Sequence, residues 1–352
     1  MEENVPPLIP NPPPAPPLPP PPRMTPPPAP GRRQAKGRGW MVVAFILFIF
    51  LGISMLYNVG NFAGNLFHSK GARYTRTAGP RLDEVVYEDN DAANKIVVIE
   101  VNGIISSGMA EQGGFNLVDL VKAQLRHAED DDRVKAVLLK VDSPGGEVLA
   151  SDDIYRLIKE FQTRARKPVI ASMGSLAASG GYYISSPCRW IVANELTLTG
   201  SIGVIMSSWN YRGLMDKVGV LPQVYKSGKF KDMLSGSREP DSVTPEEKAM
   251  LQGLINQTFE KFKSVVQEGR SQAYENNKGS NEKGHALSDD WQNYADGRVL
   301  SGTEALKLGF VDELGGVDEA VDRAKKIAGI SQANLVQYRP RFDLSDVFRI
   351  FG

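Results

Sequence analysis

Hydrophobic residues divide the chain into a polar proline-rich start, one uncharged segment, and a long region of alternating strand and helix patterns. The runs at 96–101 and 134–141 are rich in β-branched residues and predict buried β-strands, and hydrophobic residues between them recur at helical spacing. Further strands are predicted at 169–172 and 190–193, and further helices at 147–166, 245–271 and 317–328. This alternation predicts βαβ units and an α/β fold with a mostly parallel sheet.

The uncharged segment has the length of a membrane-spanning helix. From Trp40 to Tyr57 no residue is charged, and these 18 positions would form a helix of roughly 27 Å, close to the hydrocarbon thickness of a bilayer. A cleavable signal peptide is the competing interpretation. The 39 preceding residues are unusually many for a leader, however, and no small-x-small site ends the run. We therefore predict one transmembrane helix at 40–58.

The charges that flank this segment predict its orientation. Arg32, Arg33, Lys36 and Arg38 precede it, whereas the first positive charge after it is Lys70. Since positive charges remain on the cytoplasmic side, the N-terminus is predicted to lie inside and the chain after about residue 58 outside. The expected location is the cytoplasmic (inner) membrane, crossed once.

Composition also predicts the domain boundaries. Residues 1–31 carry 16 of the 24 prolines, which favours a solvated polyproline II spacer over a ligand for a proline-binding module. The predicted divisions are a disordered proline-rich cytoplasmic tail (1–39), the transmembrane helix (40–58), a linker (59–94), one α/β domain (95–330) and a C-terminal extension (331–352).

Charge and metal-binding residue types exclude several function classes. Lysine plus arginine (41) balance aspartate plus glutamate (41), so no overall field indicates a nucleic-acid partner. Cys188 is the only cysteine, which excludes an internal disulfide and a multi-cysteine metal site and predicts a core position. The three histidines form no spaced pair. Neither a metal nor an organic cofactor is expected.

The strongest candidate for chemistry is the stretch Gly174–Tyr183, which follows a predicted strand. A serine among small residues at a strand-to-helix turn can expose its hydroxyl as a nucleophile, although such a turn can also be merely close-packed. No histidine lies in a motif suited to a base. A lysine that burial leaves neutral can serve instead. Lys226, Lys229 and Lys231 are the candidates, and their chemistry alone does not select one.

An acyl-transfer site also requires backbone N–H groups that stabilise an oxyanion. The segment Asp142–Glu147 contains a Pro-Gly-Gly turn at the end of a predicted strand. Two glycines allow the backbone to approach a substrate closely, but such a turn is weak support by itself.

Five blocks in this order resemble the signal peptide peptidase A (SppA) family in its short, single-domain form. They are SPGG (143–146), GSLAASGGYYIS (174–185), TGSIGVI (199–205), GKFKD (228–232) and DGRVLSGTEALKLGFVDELGG (296–316). The resemblance covers roughly residues 94–330. It implies a ClpP/crotonase-like fold and a membrane-anchored serine endopeptidase with a Ser-Lys dyad.

The resemblance also implies a role for particular residues. The family nucleophile corresponds to Ser179, and the general base to Lys231, the lysine directly before an aspartate. The oxyanion donors correspond to the backbone of Gly146 and Gly180, and the serine that supports the lysine corresponds to Ser201.

Family members of this form assemble as rings in which neighbouring protomers complete each active site. The implied substrates are remnant signal peptides with small or apolar residues near the cut. Phe230 stands where tyrosine is frequent in the family, and it keeps an apolar wall beside the lysine. Three alternatives stay open: a related membrane-bound ClpP-class protease of other membrane proteins, an acyl-CoA enzyme of the crotonase-like fold, and an idle scaffold.

Overall fold

The computed structural model describes residues 43–52, 54–55, 80–108, 115–279 and 284–341, and the chain separates into two units, Met1–Thr75 and Arg76–Gly352. In the first unit, residues 43–52 and 54–55 are helical (α1). Among the described residues, no helix combines the length and the apolar character needed to cross a bilayer. Residues 40–42, 53 and 56–58 of the predicted anchor, and the whole predicted tail, lie outside the described residues.

The second unit is built from strands and helices that alternate along the chain. The strands are β1 (Leu82–Glu88), β2 (Lys95–Ile105), β3 (Val134–Gly146), β4 (Val169–Ala178), β5 (Trp190–Ala193), β6 (Leu198–Gly200), β7 (Val299–Ser301), β8 (Glu313–Leu314) and β9 (Asn334–Pro340). The helices are α2 (Leu117–Asp130), α3 (Val148–Ala165), α4 (Gly180–Ser185), α5 (Arg212–Val218), α6 (Pro245–Lys278), α7 (Gly302–Lys307) and α8 (Val317–Ala328), with 3₁₀ turns at Pro240–Ser242 and Trp291–Tyr294.

The nine strands of the described residues form one mixed sheet in the order β1-β9-β2-β3-β4-β5-β8, with β6 paired to β4 and β7. The pairs β9-β2, β2-β3, β3-β4, β4-β5, β5-β8 and β4-β6 are parallel, whereas the pairs β1-β9 and β6-β7 are antiparallel. The predicted α/β class is confirmed. Parallel pairing brings the carboxyl ends of β3, β4 and β6 to one edge of the sheet.

The central strands read as continuous hydrophobic runs because both faces of the sheet are covered. In β2, Val97 and Ile99 pack in the larger core cluster with residues of α2, α3 and α6, whereas Ile96 and Val98 pack in a second cluster with residues of α8. Cys188 is buried in the larger cluster, as predicted.

The structure extends several predicted elements. Helix α6 continues to Lys278, seven residues past its predicted end at 271, and β4 continues to Ala178, where the prediction ended at 172. Strands β1 and β9 lie on either side of the predicted catalytic domain 95–330, and both join its sheet. The domain division stays a prediction, but the sheet takes strands from beyond both of its boundaries.

Candidate active site

Ser179 lies between β4 and α4 in a strained backbone conformation. Its φ of 53° and ψ of −119° are unusual for a residue with a side chain. The Ser179 N–H donates to the Gly200 carbonyl at 2.9 Å, and the Ser179 carbonyl accepts from Tyr183 N–H at 2.8 Å. The residue is half-buried, whereas Ser175 is exposed. A sharp strand-to-helix turn of this kind is the geometry that presents a nucleophilic hydroxyl.

The Pro-Gly-Gly turn at the end of β3 lies directly against Ser179. A Cβ built on Gly145, whose φ is +100°, would stand 2.6 Å from Gly180 N and 2.9 Å from Ser179 Cβ. A Cβ built on Gly180 would stand 3.2 Å from Gly146 N. Only glycines fit where these two turns meet. The backbones of Gly146 and Gly180 are therefore brought together beside the serine.

Ser201 follows β6 as Ser179 follows β4. The preceding residues Ala178 and Gly200 are paired in the parallel ladder, so the two serines leave the sheet side by side. Ser201 is also half-buried with a positive φ of 49°, and its N–H donates to the Arg298 carbonyl at 2.7 Å.

A cleft of about 500 Å³ opens at this edge of the sheet. Four of the predicted site residues line it: Ser179, Gly180, Gly146 and Ser201. The rest of its wall is mainly apolar and comes in large part from α6 and the segment after Ser201; it includes Val148, Tyr183, Val204, Ile205, Ile255, Phe259 and Phe262. A cleft of this size and polarity suits an apolar peptide segment.

The fifth predicted residue, Lys231, is not among the described residues that line this cleft. It is exposed in a turn, where its N–H donates to the Gly228 carbonyl at 3.2 Å. The other two candidate lysines are paired: Lys226 Nζ lies 2.7 Å from Asp232, and Lys229 Nζ lies 2.5 Å from Glu246. Lys231 forms no ion pair with any described residue.

Several cleft residues were not predicted. Lys261 of α6 and Asp296 both line the cleft. Lys261 lies outside the five blocks, and Asp296 is the first residue of the last block, for which no role was predicted. Hydrogen bonds from the Arg298 side chain and N–H lower the pKa of Asp296 to about 2, so this carboxylate stays ionised at neutral pH. Lys261 belongs to no motif, because the packing of α6 over the sheet brings it to the cleft, and the block that begins at Asp296 does not by itself indicate a cleft position.

Glu147 lies next to the Pro-Gly-Gly turn, and its carboxylate accepts three hydrogen bonds. Its carboxylate accepts from Ser106 Oγ at 2.7 Å, Ser107 N at 2.9 Å and Ser107 Oγ at 2.7 Å. These bonds, with the Ser107 N–H as the largest cause, lower the pKa of Glu147 to about 2. The sequence includes Glu147 in the turn motif but does not indicate these partners.

The chain is similar to known peptidases over most of its length. The model of peptidase family S49 matches residues 162–331, and the model of Clp protease matches residues 99–189. A protein named as a protease in Synechocystis sp. is 40% identical over 236 residues, which cover 67% of this chain and 75% of that protein. A relative named signal peptide peptidase SppA in Enterococcus faecium is 34% identical, with 73% of this chain and 71% of the relative covered.

One longer enzyme and one solved structure are also similar to this chain. Protease 4 of Haemophilus influenzae is 34% identical over 253 residues, which cover 71% of this chain and 37% of that enzyme. A solved structure of the membrane-bound stomatin-specific protease 1510-N with a substrate peptide aligns with a TM-score of 0.42 at 16% identity, covering 74% of this chain and 98% of that one.

The Synechocystis and Enterococcus relatives both align over more than two thirds of their own length, and the family model spans the block that contains Ser179. The chain therefore belongs to peptidase family S49 and is an SppA-like serine peptidase with a ClpP-like α/β fold.

Proposed function

We propose that this peptidase hydrolyses peptide bonds with Ser179 as nucleophile and Lys231 as general base. The observation that supports this most directly is the strained turn that holds Ser179 against Gly145 and Gly180 in an apolar cleft. Neutral Lys231 takes the Ser179 proton while Oγ attacks the scissile carbonyl, and the N–H groups of Gly146 and Gly180 donate to the oxyanion.

The second half of the reaction uses the same groups. The tetrahedral intermediate collapses, the C–N bond breaks, and the amine leaves with the proton that Lys231 carries. Water then attacks the acyl-enzyme with Lys231 as base, which regenerates free Ser179 and releases the carboxylic acid. Ser201 holds the lysine in position through its hydroxyl.

We propose further that Lys231 enters the cleft of a neighbouring protomer in a homo-oligomeric ring. Within one chain, Lys231 is exposed and lies outside the cleft lining, and it has no ion-pair partner among the described residues. The segment that precedes it exposes large hydrophobic side chains, namely Ile205 (90% exposed), Trp209 (87%) and Tyr225 (91%). Exposed apolar area of this extent is typical of a surface that another chain covers.

The enzyme is proposed to be anchored at 40–58, with its proline-rich tail (1–39) in the cytoplasm and a linker (59–94) leading to the peptidase domain (95–330) and extension (331–352). The described part of the anchor is helical, and side chains such as Phe45, Leu47 and Phe48 are exposed, as lipid contact would require. The positive charges before Trp40 favour an extracytoplasmic catalytic domain.

Remnant signal peptides in the cytoplasmic membrane are the substrate class that fits this arrangement best. Such remnants are apolar, and the cleft wall includes Ile255, Phe259 and Phe262. Other membrane proteins are the second candidate substrates, since the same wall would accept their apolar segments.

The first test compares two serines of one stretch. Ser179→Ala should lower kcat by several orders of magnitude, because no other group supplies the nucleophile. The matched control is Ser175→Ala, which should retain activity because Ser175 is outside the cleft lining. Cleavage of a synthetic signal peptide by both purified variants gives the answer. An active Ser179→Ala enzyme beside an inactive Ser175→Ala enzyme would show that Ser175, and not Ser179, is the nucleophile.

Topology is tested by reporter fusions. Alkaline phosphatase fused after residue 70 should be active, because this position is proposed to be exported. A fluorescent cytoplasmic reporter at the same position should be dark. The reverse pair of results would contradict the orientation.

A further inference from the structure

Glu147 connects the two backbone segments that the reaction needs. It directly follows Gly146, and its own N–H donates to the Ile105 carbonyl at 2.8 Å. The Glu147 carbonyl accepts from Ser151 Oγ at 2.9 Å. A Cβ built on Gly180 would stand 2.5 Å from that Ser151 Oγ. Glu147 therefore directly follows one proposed oxyanion donor, Gly146. It also binds Ser151, whose hydroxyl lies against the other donor, Gly180.

The carboxylate of Glu147 does not cap the helix that begins after it. It is the N-cap residue of α3, yet its side chain makes no capping hydrogen bond. Residues preferred at this position are Ser, Thr, Asp and Asn, whose short side chains reach the helix N–H groups. The Glu147 side chain instead accepts three hydrogen bonds from Ser106 and Ser107, both on the segment that leaves β2.

That segment begins directly after Ile105, which is paired with Gly146 in the parallel ladder of β2 and β3. A Cβ built on Gly146 would stand 2.0 Å from the Ile105 carbonyl oxygen and 2.7 Å from Ile105 N. Any movement of Ile105 would therefore turn the Gly146 peptide, and with it the direction of the Gly146 N–H. Oxyanion stabilisation depends on donors that are already oriented before the charge develops.

We propose that Glu147 is a positioning residue for the oxyanion hole: its carboxylate binds Ser106 and Ser107 and thereby fixes the Gly146 N–H toward the reacting carbonyl. This inference rests on the proposed roles of Ser179 and Gly146. Glu147 itself is not among the described residues that line the cleft. Its loss should affect the chemical step and leave the apolar cleft wall, and hence peptide binding, largely unchanged.

The test uses steady-state kinetics on a signal peptide substrate. Glu147→Ala should lower kcat at least about tenfold and change KM by less than about threefold, a smaller loss than the 10²–10³ expected when an oxyanion donor is removed. Glu147→Gln keeps one acceptor oxygen and should restore kcat partly. A Ser106→Ala/Ser107→Ala enzyme should lose kcat to a similar degree. Adding Glu147→Ala to it should lower kcat little further, since both changes remove the same contacts.

The matched control is Glu304→Ala on α7. The Glu304 carboxylate similarly accepts from Ser301 N at 2.9 Å and Ser301 Oγ at 2.8 Å, but Glu304 is outside the cleft lining. The Glu304→Ala enzyme should retain kcat within about twofold, while its Tm falls by about as much as that of Glu147→Ala. Equal kcat in Glu147→Ala and Glu304→Ala, beside an inactive Ser179→Ala enzyme, would overturn this inference alone. An active Ser179→Ala enzyme would overturn the proposed function, and this inference with it.

Discussion

At the residue scale, the site depends on backbone conformations that side chains rarely adopt. Ser179 and Ser201 both have positive φ angles, 53° and 49°, which cost on the order of 1–3 kcal/mol each. They are held by backbone hydrogen bonds to the carbonyls of Gly200 and Arg298. Strain that the surrounding structure maintains in this way is typical of functional turns.

The contact between Gly145 and Ser179 gives a prediction at this scale. In Gly145→Ala, the new methyl group would overlap Gly180 N and Ser179 Cβ, at 2.6 and 2.9 Å. We expect kcat to fall at least about a hundredfold, because a displacement of about 1 Å at reacting groups has that effect. Cleavage kinetics and a urea unfolding curve of the same sample separate activity from stability.

The control for backbone strain is Gly329→Ala. Gly329 also has a positive φ, +68°, but a Cβ there meets nothing within 4 Å. This variant should lose about 1 kcal/mol of unfolding free energy and keep its activity. If both variants keep full activity, the close approach at Gly145 is not needed for catalysis.

At the element scale, helix α6 has two different halves. Its first half contributes Ile255 and Phe259 to the cleft, and its second half is fixed to the sheet by Arg270. Arg270 is fully buried, pairs with the equally buried Asp312, and donates to the Cys188 carbonyl at 3.2 Å. The buried pair therefore determines where α6, and hence the cleft wall, lies over the sheet.

We predict that Arg270→Ala lowers the free energy of unfolding by about 3–5 kcal/mol, because it leaves the Asp312 carboxylate buried without its ion partner. Arg164→Ala is the control. Arg164 is 60% exposed and pairs with Glu160 one helical turn away and with Glu129 of α2. Because both are surface pairs, its loss should change the free energy by less than about 1 kcal/mol. Urea unfolding measures both. A loss below about 1 kcal/mol in Arg270→Ala would contradict the anchoring role of the pair.

The same elements show what the sequence could predict. Helix α8 has the predicted bounds because glycines 316 and 329 stand at its two ends and hydrophobic residues recur between them. The end of α6 was missed because residues 272–278 are mostly polar, although Asn277 is buried and its side chain donates to the Arg189 carbonyl at 3.0 Å. Strand β1 was missed because it lies at the sheet edge with most side chains exposed. Such contacts depend on tertiary packing and leave no local periodicity.

The cleft could be predicted only in part for a similar reason. Ser179, Gly146 and Gly180 belong to turns at the ends of predicted strands, and parallel pairing brings these ends together. Lys261 comes to the cleft through the packing of α6, which no motif indicates, and Asp296 begins the last block, whose sequence alone does not place it in the cleft. The role of Lys231 involves a second protomer in our proposal, and therefore lies beyond what one chain can display.

At the scale of the whole molecule, exposed apolar side chains cluster in a part of the chain with little regular structure. Between Ser201 and Pro240 the only helix is the seven-residue α5, and Leu214 and Val218 on it are exposed by 63% and 65%. This segment leads from the cleft to Lys231. An isolated protomer would leave both the apolar area and the lysine in water, so assembly is expected to bury the first and position the second.

A complementation experiment tests this assembly. Ser179→Ala and Lys231→Ala chains should each be inactive, but rings that contain both should recover activity at interfaces where an intact serine meets an intact lysine from the neighbour. With equal amounts of the two chains, about one interface in four has this composition if the chains mix at random. The control is a mixture of Ser179→Ala with the double variant Ser179→Ala/Lys231→Ala, which contains no intact serine. Each of the two chains carries a different affinity tag, and purification on one tag and then on the other confirms that the assemblies contain both chains. If such assemblies cleave no more peptide than the control, each protomer must supply its own base, and Lys231 would have to reach Ser179 by a rearrangement within one chain.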